Sequence, residues 1–224
     1  MTYEKLFEKK IGVIGAGNIG QALILKLLEK NYPYENIELT YNGSIFTFSN
    51  IYDNNLVDMI GSNASIVENS DIIILSVPPQ AFSKIGDFNL SDDRLIISFM
   101  AGISIDEIKK QTGSNNVIKI IPTGPDTIRN SSAIVGFYPE NSVAMELFDL
   151  LDFDCYSLDK EDDMDYISVA GCLPAVFCRA NYDVEENRLA IEKFASDFPE
   201  FVEIAKKASL LVPSENKDEF VESF

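Results

Sequence analysis

Gly15, Gly17 and Gly20 stand in a G-x-G-x-x-G spacing between two apolar runs. Ile11-Gly12-Val13-Ile14 precedes them, and Gln21-Ala22-Leu23-Ile24-Leu25-Lys26-Leu27-Leu28 follows. The chemistry this spacing serves is the binding of a diphosphate. The first glycine allows the turn, the second lets the backbone approach the phosphates, and the third lets a helix pack closely on a strand. The first N–H groups of that helix, backed by its dipole, then face the anion. Gly15, Ala16, Gly17, Asn18, Ile19 and Gly20 are thus the expected dinucleotide contacts. Glycines alone would serve any tight turn. What gives these their meaning is the strand before them and the helix after.

Other chemistries are excluded by what the chain lacks. None of its 224 residues is histidine, so histidine catalysis and His-based metal sites are ruled out. Cys155, Cys172 and Cys178 are too few and too irregularly spaced for a disulfide framework or a zinc centre, and no metal is expected. A net charge of −18 argues against a nucleic-acid partner, which needs clustered Lys and Arg. Most of that charge falls within 140–224, an asymmetry that hints at two units of different character. Residues 1–10 are charged and lack the apolar core of a signal peptide, and no run of about 18 apolar residues could span a bilayer. The expectation is a cytoplasmic protein with a small-molecule substrate and no membrane partner.

The elements that would position the glycine loop alternate. After the first helix, residues 36–42 read as a second strand. It ends about 20 residues beyond the last glycine, where an NAD site places a carboxylate for the ribose hydroxyls. Asn42, Gly43 and Ser44 stand there instead, with no Arg or Lys nearby for a 2′-phosphate, so the residues admit NADP or NAD. Residues 45–59 give no clear pattern. A short helix at 65–70 leads to strand 71–77, which shows no apolar–polar alternation and ends at Pro78-Pro79-Gln80. Strand 95–99 closes on Met100-Ala101-Gly102. A helix follows, with Ser104-Ile105-Asp106-Glu107 as its capping box. Strand 117–121 ends at Pro122-Thr123-Gly124-Pro125, and strand 132–138 is expected to close an edge of the sheet. Runs apolar on every position fit strands covered on both faces. The fold expected is therefore α/β, a Rossmann-type, doubly wound and mostly parallel sheet over residues 1–158, followed by a small all-helical domain over 159–224. There, 161–180 reads as one long helix entered through Glu161-Asp162-Asp163, and 185–196 and 200–211 as shorter ones. In such sheets the ligand lies at the carboxyl ends of the strands.

Taken in order, these segments resemble pyrroline-5-carboxylate reductases, the enzymes of the last step of proline synthesis. Residues 11–20 resemble the family's glycine loop, in which alanine is often the last residue. Ser62-Asn63 resembles the family's asparagine at the adenosine ribose. Ser76-Val77-Pro78-Pro79-Gln80 is similar to its Ala-Val-Lys-Pro-Gln turn beside the nicotinamide half. Residues 98–104 resemble its Ala-Ala-Gly-Ile-Thr stretch, and Pro122-Thr123-Gly124-Pro125 its Pro-Asn-Thr-Pro turn. Ala170-Gly171-Cys172-Leu173-Pro174-Ala175 looks like a worn copy of its Ser-Gly-Ser-Gly-Pro-Ala substrate segment. The resemblance thus implies a cofactor site of Gly15, Ala16, Gly17, Asn18, Ile19, Gly20, Asn42, Asn63, Val77, Pro78, Pro79, Ala101 and Gly102. It implies Gly171, Cys172 and Pro174 at the substrate, Thr123 as donor of a hydrogen bond or proton, and a homodimer formed through the C-terminal helices.

Departures accompany the likeness. Pro78 replaces a lysine, Thr123 and Gly124 replace asparagine and threonine, and Cys172 and Leu173 replace a serine and a glycine. The family's Gly-Gly-Thr-Thr segment has no counterpart, so the helical domain is expected to be truncated. The activity implied is hydride transfer from a reduced nicotinamide to a cyclic imine. An inactive dinucleotide-binding or regulatory homologue, or a reductase for a different small substrate, are the alternatives.

Overall fold

The computed structural model describes residues 3–43, 45–122 and 124–164. Strands and helices alternate along them. In chain order they are α1 (Glu4–Phe7), β1 (Ile11–Ile14), α2 (Asn18–Glu29), β2 (Ile37–Thr40), α3 (Ile45–Asp53) and α4 (Asn63–Asn69). Then come β3 (Ile72–Leu75), β4 (Leu95–Ser98), α5 (Ile105–Thr112), β5 (Val117–Pro122), α6 (Pro125–Arg129), β6 (Ile134–Tyr138), α7 (Ser142–Leu150) and β7 (Asp154–Ser157). The described residues fall within one compact unit, Met1–Met164.

The strands form a seven-stranded sheet in the order β2-β1-β3-β4-β5-β6-β7. Among the described strands only the β5–β6 pairing is antiparallel. The apolar strands are covered on both faces, which removes any need for alternation in their sequences. Within β3, Ile72 and Ile74 join the cluster that holds Leu23, Leu27 and Phe148, while Ile73 and Leu75 join the one that holds Ile66, Ile105 and Ile108. The capping box at the start of α5 is present as its sequence predicts: Ser104 Oγ accepts from the Glu107 amide and the Glu107 carboxylate accepts from the Ser104 amide.

One expectation is corrected. β6 does not close the edge, because β7 pairs parallel to it and lies outside it. β7 was silent in the sequence since its residues are polar and mostly exposed, as suits an edge strand. Its one cysteine is inert packing. Burial pushes the Cys155 thiol up to about 11, with the Asp154 and Asp149 carboxylates adding to the effect. Alkylation of Cys155 by iodoacetamide, followed by peptide mass spectrometry, is expected to be slow at neutral pH and to rise only as pH nears the thiol's own value, because the thiolate is the nucleophile. Rapid neutral labelling would contradict that burial.

Glu161-Asp162-Asp163, expected to open a long helix, forms a 3-10 turn, and 165–180 lies outside the described residues. The turn has a separate role. Glu161 Oε1 accepts from the Ile105 amide at 2.7 Å, at the start of α5, and meets Lys119 Nζ at 3.4 Å. Lys119 is a buried cation in the middle of β5, its side chain only 5% exposed. Deleting the carboxylate leaves that cation unpaired, so Glu161→Ala is expected to lose about 2–3 kcal/mol in urea unfolding. The double variant with Lys119→Met, which removes the orphaned charge, recovers part of the loss. Equal stability of Glu161→Ala and the parent chain would contradict the pairing.

Candidate functional site

The carboxyl ends of the central strands are level. Ile14 pairs in register with Thr40 on one side and Leu75 on the other, and Leu75 with Ser98. The turns leaving β1, β2, β3 and β4 therefore emerge along one edge of the sheet. With the order 2-1-3, the chain winds in opposite directions on the two sides of β1, and a crevice opens at that reversal.

The glycine turn leaves β1 here, and Gly15 adopts φ +105°, a conformation open to glycine. Its shape is fixed by side chains from far along the chain. The Gly15 amide donates to Thr40 Oγ1 at 3.3 Å and the Ala16 amide to the Thr40 carbonyl at 2.9 Å. Ser76 Oγ donates to the Gly15 carbonyl at 2.6 Å, and Gln21 Nε2 to the Ala16 carbonyl at 2.9 Å. Gly20 lets α2 close onto this turn, since a Cβ there would lie 2.2 Å from the Gly15 oxygen.

Past this braced turn the surroundings change. A Cβ on Gly17 would meet nothing within 4 Å, so the turn is open where the second glycine of the motif should admit a ligand. Gly17 caps α2 with no side-chain hydrogen bond, and the first helical turn carries no acidic residue. Helix geometry leaves the first amides, those of Asn18, Ile19 and Gly20, without intrahelical acceptors. A 12-residue helix thus presents its positive end, unneutralised by its own side chains, to open space. That is the donor set a diphosphate requires.

The other expected cofactor residues lie along the same edge. Asn42 is exposed just beyond β2, and the described residues of that loop bring no carboxylate to the ribose position. Val77 is half-buried against Gly15, and Pro78 and Pro79 are exposed at the end of β3. Ala101 and Gly102 are exposed beyond β4, with Gly102 at φ +72° and open space where a Cβ would stand. Asn63 is the first residue of α4, but its Nδ2 is committed to the Ile85 carbonyl at 3.0 Å. Pro122 ends β5, and Gly124 accepts from Thr127 Oγ1 at 2.7 Å. Thr123, Gly171, Cys172 and Pro174 lie outside the described residues. Sequence reasoning passed over Thr40, Gln21 and the bracing role of Ser76. For Thr40 and Ser76 the sequence signal is a hydroxyl residue at or just past a strand's end, whereas Gln21, within α2, carries none.

Comparison with known proteins agrees with this geometry. Residues 10–102 match the family model described as NADP oxidoreductase coenzyme F420-dependent. The chain is 22% identical over 129 residues to pyrroline-5-carboxylate reductase of Arabidopsis thaliana, covering 56% of this chain and 47% of that one. It is 25% identical over 212 residues to the Pasteurella multocida reductase, covering 84% and 76%. The fold is shared with the crystal structure of Plasmodium falciparum pyrroline carboxylate reductase with NADP bound, at TM-score 0.60 and 20% identity over 96% of this chain and 84% of that one.

Glycine turn, open helix start and doubly wound sheet together define a dinucleotide-binding fold, and residues 10–102, which carry the glycine turn, are the part that matches the oxidoreductase family model. Its curated relatives named above are pyrroline-5-carboxylate reductases, to which it is similar at 22% and 25% identity. It spans about half the length of the Arabidopsis relative, 47%.

Proposed function

We propose that this chain is an NAD(P)H-dependent reductase that delivers a hydride to a cyclic imine of the pyrroline-5-carboxylate type. The observation that carries the reading is the open, uncapped start of α2 at Gly17, braced from behind by Thr40, Ser76 and Gln21. When bound, a reduced nicotinamide supplies the hydride, which adds to the imine carbon as a proton reaches the nitrogen. The chain's own part is to bind and orient. Amides of residues 17–20 hold the diphosphate, the end of β2 takes the adenosine side, and residues 77–79 with Ala101 and Gly102 flank the nicotinamide side. Thr123, the residue that follows Pro122 in the sequence, is our candidate for the hydroxyl beside the imine nitrogen, with Gly171, Cys172 and Pro174 at the substrate. Pairing of two chains through their C-terminal segments and a cytoplasmic location belong to the same proposal.

The test is a thermal-shift titration with NADPH and NADH, followed by loss of nicotinamide absorbance on adding pyrroline-5-carboxylate. The proposal expects a rise in melting temperature with at least one cofactor and turnover of the imine. Pro78 in place of the family's lysine, which takes a cation from the crevice, favours a second reading, a homologue that binds the cofactor without catalysis. Stoichiometric binding with no turnover of this or any other imine or keto substrate would favour that reading and overturn the first. Turnover of a different imine alone would move the substrate assignment and keep the reaction.

A further inference from the structure

The wall of the crevice beyond β3 is a short segment held from two sides. Its 3-10 turn, Pro79–Lys84, leaves the sheet directly after Pro78. Phe82 and Ile85 anchor it by burial in the cluster that also holds Ile105 and Ile108. Carbonyls along Phe82–Gly86 accept from amide side chains of two different helices, and the Phe82 carbonyl accepts from the Ile85 amide at 3.2 Å as well. Gln111, in the last turn of α5, donates Nε2 to the Phe82 carbonyl at 2.8 Å and to the Gly86 carbonyl at 3.2 Å. Asn63, at the start of α4, donates to the Ile85 carbonyl at 3.0 Å.

We propose that Gln111 is a positioning residue for the nicotinamide half of the dinucleotide, acting through this segment; the proposal rests on the cofactor site described above. α5 runs back from the ligand edge, so Gln111 at its far end has no reach to the ligand itself. Its effect passes through one turn. Phe82 is three residues from Pro79, a single 3-10 repeat, and the paired prolines fix φ at the entry, so the segment moves as a unit. The adenosine half belongs on the β2 side of the glycine turn, because the ribose contact comes from the end of β2. Residues 77–80, on the β3 side, therefore flank the other half. A clamp on this segment should matter for the whole dinucleotide and be silent for its adenosine fragment.

The experiment compares the full chain with Gln111→Met, which keeps length and loses the donor, by titration with NADPH, NADH and ADP. The clamp predicts that the dinucleotide bound by the parent chain binds Gln111→Met about tenfold more weakly. ADP is expected to bind both within about twofold. Parallel losses for dinucleotide and ADP would mark a general structural role and overturn the proposal, as would unchanged dinucleotide affinity. Should Gln111→Met melt below the assay temperature, Gln111→Lys carries the test, because it retains a donor. It should bind the dinucleotide within about twofold of the parent, and a tenfold loss there overturns the proposal. A parent chain that binds neither reduced dinucleotide overturns both this proposal and the function it rests on, whereas a binding parent with an unaffected Gln111→Met overturns this one alone.

Discussion

Gly17→Val is expected to bind NADPH or NADH at least about a hundredfold more weakly than the parent chain, with folding stability changed by no more than about 1 kcal/mol. The two halves of that result have separate causes. Gly17 sits at φ −77° and ψ −166°, extended backbone that valine adopts readily, and a Cβ there meets no protein atom within 4 Å. Any loss of stability is confined to valine's poorer capping of α2, at most about 1 kcal/mol. The same open space is where the diphosphate must approach the start of α2, so two added methyl groups fill the ligand's position. Calorimetric titration and urea unfolding of the same sample read both quantities. Undiminished binding by Gly17→Val would mean that the ligand goes elsewhere.

Gly15→Ala is expected to do the opposite first, losing about 3 kcal/mol of stability, with weakened binding as its consequence. At φ +105° an alanine is strained whatever its surroundings, and its Cβ would lie 2.9 Å from the Ser76 carbonyl carbon and oxygen and 2.8 Å from Val77 Cγ1. Backbone has no rotamer by which to yield. Relief would require β1 and the strand end at Ser76 to part, which breaks the Ser76 Oγ bond to Gly15 as well. A urea midpoint unchanged from the parent would contradict this packing. Two glycines two residues apart thus separate the roles assigned to them, one in the fold and one in the ligand site.

How far the sequence could be read follows from burial. β1, β3, β4 and β5 are covered on both faces and are written almost wholly in apolar residues, with the buried Ser98 and Lys119 as exceptions, which makes them visible. β7 is an exposed, polar edge and carries no such mark. α3 was unreadable for a related reason. Ile45, Phe46 and Tyr52 are 75%, 80% and 66% exposed, so its apolar residues do not trace the buried stripe by which a helix is recognised. The glycine turn announced itself because backbone geometry restricts its residue types. Its braces did not. Thr40 lies 25 residues from Gly15 and Ser76 61 residues from it, and a hydroxyl whose partner is a distant carbonyl or amide looks like any other hydroxyl in a list of residues. Gln111 was hidden in the same way, since its acceptors lie 29 and 25 residues away and only folding brings them within reach.

The account stands most directly on where a diphosphate goes. A crystal structure of the chain grown with saturating NADPH or NADH decides it. The prediction is diphosphate oxygens within about 3 Å of the amide nitrogens among residues 17–20, at the uncapped start of α2. A well-ordered dinucleotide bound elsewhere, or no dinucleotide bound at saturating concentration, would contradict it.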